Sequence, residues 1–208
     1  ASVIIYGLNP VREALRAGRV RELRIAGTSS RVADLERLAS RAGVPVRRVP
    51  AAALARTTSG GSHQGVTAEV DTPPDLTLEA LLGQAGSPLL LVVLDGIEDP
   101  QNVGAILRVV DAAGVDGVVR QTRRAASLGS VARSSAGALA HVRLASVVNL
   151  ARALDELKDA GVWTVGLEAD GEPLYEGVDL TLPTALVLGS EGKGLRRLVR
   201  ERCDRVVS

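Results

Sequence analysis

Three side chains in two distant segments have the types and settings that could do chemistry: Asn102, Arg108 and Glu191. The first segment, LVVLDGIEDPQNVGAILRVVDAAG (91–114), joins an apolar run, an acidic polar loop and a helical pattern that starts near Asn102. The run is short and bounded by turn formers, so it reads as a buried parallel strand. Asp99-Pro100 marks the passage into the helix, since proline is tolerated in a first turn and disfavours helix before it. Ile106, Leu107, Val109 and Val110 supply an apolar stripe, with Gly104 and Ala105 small enough for close packing. Polar groups at the carboxyl end of a parallel strand stand where open α/β sheets place their ligands. That location singles out Asn102 and Arg108. A snorkelling surface arginine is the plainer reading of Arg108.

The second segment, LVLGSEGKGL (186–195), is a strand that ends in a loop with three glycines in six residues, followed by a basic helix. Such glycines permit positive φ and close backbone approach to a ligand. Taken alone, Glu191 within it reads more readily as a turn residue that complements a helix start. Between the two segments, Arg133, Ser134 and Ser135 open a basic, small-residue stretch. It suits either a phosphate-facing surface or a tight helix–strand corner.

Other chemistries find little support. The glycine loop lacks the spacing G-x-x-x-x-G-K-S/T, and Gly194 stands where a phosphate loop needs Ser or Thr. No G-x-G-x-x-G follows a strand, which leaves a dinucleotide site unsupported. There is no G-x-S-x-G elbow, and the two histidines are poorly placed as a base: His63 in a flexible polar loop, His141 at the start of an apolar strand, where packing is its expected role. Asp95, Glu98 and Asp99 could in principle bind Mg²⁺, but three acids in one loop without a phosphate cradle are weak evidence for such a site. One cysteine, Cys203, excludes an internal disulfide framework and a cysteine-based metal site, and fits a reducing cytoplasm. No metal is expected.

The elements that must position these residues are alternating strands and helices, an α/β chain in two parts. Residues 1–70 read as a small α/β unit, with strands at 3–5, 22–26, 44–49 and 65–70, helices from Asn9-Pro10 and at 31–41 and 51–56, and a polar loop at 57–64. Residues 71–88, with three prolines around a short Leu-rich helix, are the expected linker. Residues 89–208 alternate strands at 89–94, 116–120, 141–145, 162–167 and 184–188 with helices near 101–113, 129–136, 149–160 and 195–202. That pattern predicts a mostly parallel sheet covered on both faces.

With 46% hydrophobic and 24% charged residues the chain is an ordinary globular protein. No apolar run approaches the ~20 residues of a membrane span, and no secretory leader is visible. The net charge of +1 hides segregation: residues 1–70 hold eleven Arg against five acids, whereas 71–100 hold six acids and no base. Residues 117–154 carry six Arg and no acid, and 155–191 nine acids and one Lys. Basic faces of this kind suit a polyanion, solvated helix faces being the alternative. With 23 Arg against two Lys, most of the positive charge can make forked phosphate contacts. Trp163, Tyr6 and Tyr175 are too few for base stacking to dominate.

Together, DGIEDPQNVGAILRVVDAAGV (95–115), SAGA (135–138) and LVLGSEGKGLRRLVRERCD (186–204) resemble the SpoU-type RNA 2′-O-ribose methyltransferases of the SPOUT superfamily. IYGLNPVREALRAG (5–18) and HQGV (63–66) resemble the substrate-binding domain of the branch that methylates guanosine of 23S ribosomal RNA. The resemblance implies a ribosomal-protein-like RNA-binding domain, a catalytic domain with a trefoil knot, S-adenosylmethionine as methyl donor, ribosomal RNA as partner, and a cytoplasmic homodimer whose site spans two subunits. It assigns catalysis to Asn102, Arg108 and Glu191, cofactor contacts to Gly166, Leu167, Leu188, Gly189, Ser190 and Gly192, and RNA contacts to Arg12, His63, Gln64, Arg133 and Ser135. Arg108 would position the attacking 2′-oxygen rather than deprotonate it, because a guanidinium with a pKa above ~12 is a poor proton acceptor. Asn102 and Glu191 would hold Arg108 and the substrate in place.

One departure stands out. The family's third motif, a Ser-Leu-Asn segment after an Ile-Pro strand, is not found before the sequence ends at Ser208. The expectation is that the full-length enzyme continues. The alternatives are methylation of transfer RNA, a methyltransferase that confers antibiotic resistance through ribosomal RNA, and a non-catalytic RNA-binding module.

Overall fold

The computed structural model describes residues 2–208 apart from 59, 124, 136–137 and 173–177, and only the backbone of Arg133 and Ala140. The chain divides into two units, one of Ala1–Pro73 with Ser127–His141, the other of Pro74–Ala126 with Val142–Ser208.

The first unit rests on four strands, β1 (Ser2–Tyr6), β2 (Val20–Ile25), β3 (Val46–Arg48) and β4 (Val66–Asp71), in the order β1-β4-β2-β3. β4 pairs antiparallel with β1 and β2, while β2 and β3 run parallel. Its helices are α1 (Leu8–Arg16), α2 (Ser30–Arg41) and α3 (Ala51–Thr57). α1 buries Val11, Ala14 and Leu15, and α2 buries Val32, Leu35 and Ala39, each at the spacing of one helical face. Ser29 caps α2 by accepting from the Val32 N–H at 3.3 Å. Gly18 and Gly43, both at positive φ, follow these two helices. These faces close one core with Leu23, Ile25 and Val66.

The second unit is a seven-stranded sheet in which every pairing is parallel. In chain order its elements are β5 (Asp75–Leu76), α4 (Leu78–Gly83), β6 (Leu90–Asp95), α5 (Pro100–Ala112), β7 (Gly117–Gln121), β8 (Leu144–Val147), α7 (Leu150–Asp159), β9 (Trp163–Glu172), β10 (Thr184–Gly189), α8 (Arg197–Arg202) and β11 (Arg205–Val207). The helix between β7 and β8, α6 (Leu128–Ser134), packs with the first unit, where Val131 is buried and Ala132 lies against the core. The strand order is β11-β9-β10-β6-β7-β8-β5. The chain runs outward from β6 through β7 to β8, then returns on the other side through β9 and β10. The topological switch point therefore falls between β6 and β10.

Three details differ from the sequence reading. Residues 71–88 are not merely a connection: β5 pairs with β8, and Leu78 and Leu81 are buried in the second core. β8 starts three residues later than expected, after a 3-10 turn at Ala138–Ala140, and His141 is exposed on that turn instead of packing in a strand. On α5 the buried residues are Val103, Gly104, Leu107 and Val110, whereas Val109 is 68% exposed. A 3.6-residue period through Val103 and Leu107 puts position 109 outward.

Candidate active site

The site sits where β6 and β10 end side by side, with Asp95 level with Gly189 in the register. After Asp95 the chain turns through an acidic loop into α5. Asp99 caps that helix by accepting from the Gln101 N–H at 2.9 Å, and Pro100 occupies its first turn. Asn102 follows in the same turn, half-buried. Arg108 lies six residues on and exposed, which is about 9 Å along the axis and about 120° around it. In one chain, therefore, Asn102 and Arg108 do not meet on one face.

β10 ends in a closed loop. Ser190 and Gly194 exchange two backbone hydrogen bonds, of 3.1 and 2.9 Å, and Gly192 and Gly194 hold φ of +77° and +63°. A Cβ on Gly189 would stand 2.2 Å from the Gly194 carbonyl carbon, so only glycine fits where the loop closes on itself. Glu191 is thereby carried, exposed, at the tip. There its Oε2 accepts a hydrogen bond from the Asn102 Nδ2 at 3.2 Å, joining segments 89 residues apart. Asn102 and Glu191, the pair expected to hold Arg108 and the substrate, are thus joined to each other.

Two further carboxylates brace this corner. Asp95, 1% exposed, accepts from the Arg196 N–H at 2.7 Å and from its Nε at 2.6 Å, and Arg196 Nη2 reaches Gln121 Oε1 at 2.6 Å. Glu168 accepts from the Leu195 N–H at 2.9 Å and from Arg200 Nε at 2.6 Å. The Arg200 bond first, then the Leu195 amide, hold the Glu168 carboxyl below the usual carboxylate range. Sequence reading missed both braces, although a carboxylate closing an apolar buried strand demands a partner. Burial pushes the Cys203 thiol up to about 11, so it packs as a small apolar side chain rather than acting as a thiolate.

An open cleft of about 470 Å³ lies between the two loops, lined by Asp95, Gly96, Ile97, Glu98, Asp99, Asn102, Ser190, Glu191, Lys193, Gly194 and Arg196. Among the described residues no group of three or more His, Cys, Asp or Glu side chains is arranged to hold a metal ion. Nor is any described helix long and apolar enough to cross a membrane.

The other expected site residues fall in different places. Leu167 and Leu188 are half-buried partners in the β9–β10 register, and Ser190 and Gly192 belong to the closed loop. Gly166 is buried in β9, and its side-chain direction is filled by Leu195 Cδ1 at 2.7 Å and Cys203 Sγ at 3.1 Å, which leaves only its backbone for a ligand. In the first unit Arg12 is half-buried on α1. His63 Nδ1 accepts from the Gly65 N–H at 3.0 Å, and Gln64 Oε1 accepts from the Leu8 N–H at 3.0 Å, supplying the cap that Gly7 cannot. Ser135 is fully buried, with its hydroxyl accepting from the Leu139 N–H at 3.3 Å. It is an internal corner residue here, not an RNA-facing one. The Arg133 side chain lies outside the described residues.

The sequence model of the SpoU rRNA Methylase family matches residues 89–208, and that described as RNA 2'-O ribose methyltransferase substrate binding matches residues 4–76. A Mycolicibacterium vanbaalenii protein described as an uncharacterized tRNA/rRNA methyltransferase is 44% identical over 215 residues, which cover 99% of this chain and 68% of that protein. Its counterpart in Mycolicibacterium gilvum is 45% identical with the same coverage. Among solved structures, the SpoU methyltransferase AviRb from Streptomyces viridochromogenes, in complex with AdoMet, matches with a TM-score of 0.75 and 27% identity, over 100% of this chain and 80% of that one. An RNA methyltransferase of the TrmH family from Porphyromonas gingivalis matches at 0.73 and 28%, over 99% and 79%. A catalytic-family match over more than half of the residues, on a parallel sheet whose switch point carries the Asn102–Glu191 contact, makes this chain a member of the SpoU rRNA Methylase family.

Proposed function

We propose that this protein transfers a methyl group from S-adenosylmethionine to a ribose 2′-hydroxyl of RNA, at a guanosine of 23S ribosomal RNA. The observation that carries the reading is the Asn102–Glu191 hydrogen bond at the switch point. The substrate-binding match over residues 4–76 supports the ribose 2′-oxygen as acceptor.

The residues present fit the cofactor. The cleft is of ligand size, and the carboxylates of Glu98, Asp99 and Glu191 at its edge complement a sulfonium cation. Leu188, Gly189, Ser190 and Gly192, with Leu167 alongside, would hold it through the closed loop and the strand ends. When bound, S-adenosylmethionine supplies a methyl group activated for direct displacement. The chain's own work is then orientation, and holding two reactants in line can supply several kcal/mol of acceleration. Asn102, fixed by Glu191, orients the ribose. Arg108 holds the attacking oxygen and a neighbouring phosphate through its forked donors. Because Arg108 lies around α5 from Asn102, a homodimer with a site shared between copies brings the two together.

Methyl-labelled S-adenosylmethionine with ribosomal RNA tests the reading. Label should enter RNA, and the modified linkage should resist alkali, since a methylated 2′-oxygen cannot attack its phosphate. Label in alkali-sensitive positions would assign the methyl to a base and contradict it.

A further inference from the structure

We propose that Asp95 and Glu168 form a two-sided carboxylate brace that sets the position of the 190–194 loop for methyl transfer, an inference that rests on the function proposed above. In the sheet order β9-β10-β6, Glu168 on β9 and Asp95 on β6 flank the strand from which the loop departs. Asp95 is in register with Gly189, and Glu168 directly follows Leu167, the partner of Leu188. The two carboxylates thus stand level with the loop's base on opposite sides. They receive the consecutive backbone N–H groups of its return, Leu195 at 2.9 Å and Arg196 at 2.7 Å.

Arg196 is the N-cap of α8, and its own amide, which lies ahead of the helix's internal bonds, is taken by Asp95. Each carboxylate also binds an arginine of the returning chain, Asp95 to Arg196 and Glu168 to Arg200, which makes both bonds charge-assisted. Together with the Ser190–Gly194 bridge, the base of the loop is tied on every side, leaving the tip to carry Glu191 to Asn102. Both acids are positioning residues: they touch the loop, and the loop touches the reactants.

The test uses Asp95→Asn and Glu168→Gln, which keep size and one acceptor oxygen, so the fold survives. Amide hydrogen exchange over residues 189–197 should rise tenfold or more in each, with α7 unchanged. In the same proteins kcat at saturating substrates should fall by about tenfold or more, with the KM for RNA within about twofold, as for a displaced catalytic geometry. Arg196→Gln added to Asp95→Asn should recover part of that loss, because the amide no longer opposes a guanidinium. Unchanged exchange in the loop overturns the brace whatever the activity. Wild-type kcat in both variants, or a fall in kcat that matches a fall in folded protein without partial recovery, overturns it as well. Failure of the unaltered protein to methylate RNA, with loop exchange raised in both variants, would sink the proposed function and leave the brace standing.

Discussion

Two polar arrangements at the same end of the parallel sheet differ in kind. Asn102 and Glu191 meet through a single 3.2 Å bond at an exposed tip, whereas Asp95 is buried and takes both the amide and the guanidinium of Arg196. A lone exposed bond contributes little to stability, and a buried charge left without its partner costs several kcal/mol. The first is therefore a contact the fold can spare, and the second belongs to the frame of the sheet end.

Removal of a working residue should break this contrast most severely. Arg108→Ala and Asn102→Ala should each lower methyl transfer at least a hundredfold while the thermal midpoint moves by a few degrees at most. Mixing the two inactive proteins, with exchange of copies, should restore about a quarter of wild-type activity, since half of the dimers are mixed and each has one intact site. No recovery in demonstrably mixed dimers would confine the site to one chain.

The next effect concerns the loop itself. Gly189→Ala places a methyl group 2.2 Å from the Gly194 backbone and must displace it. Calorimetry should show cofactor binding weakened at least tenfold, while the parallel sheet melts almost as before. Unaltered affinity would separate the loop from the cofactor.

Much of this was legible in the residues. The apolar run before Asp95, Asp99-Pro100 and the three glycines after Leu188 each force a local structure, so strand, cap and loop follow from types and spacing. Pairing partners carry no such mark. Glu168 is a brace only because β9 lies beside β10, an adjacency set by strand order. Asp95 reads from sequence as the first acid of the loop after an apolar strand, and its partner stands 101 residues away. Ser135 had two readings by composition, and burial decides for the packing corner.

The smallest effect is on acid stability. The Glu168 carboxyl lies below its ordinary value of 4.5, held there by Arg200 and the Leu195 amide. Its contribution is therefore complete above that pH and is lost as pH falls through the depressed folded value. Glu168→Gln should lower the urea midpoint slightly at pH 7, and the difference from wild type should shrink as pH falls below the ordinary value of 4.5 towards the depressed one. A difference that persists into acid would place the contribution in packing rather than charge.

The central claim is that Asn102 and Glu191 act as one unit at the switch point. A double-mutant cycle on methyl transfer, with Asn102→Ala, Glu191→Ala and the pair, measures this directly. The double variant should lose no more activity than the more damaged single variant. Losses that multiply across the two positions would show that the residues act independently, and the contact would not be the centre of the site.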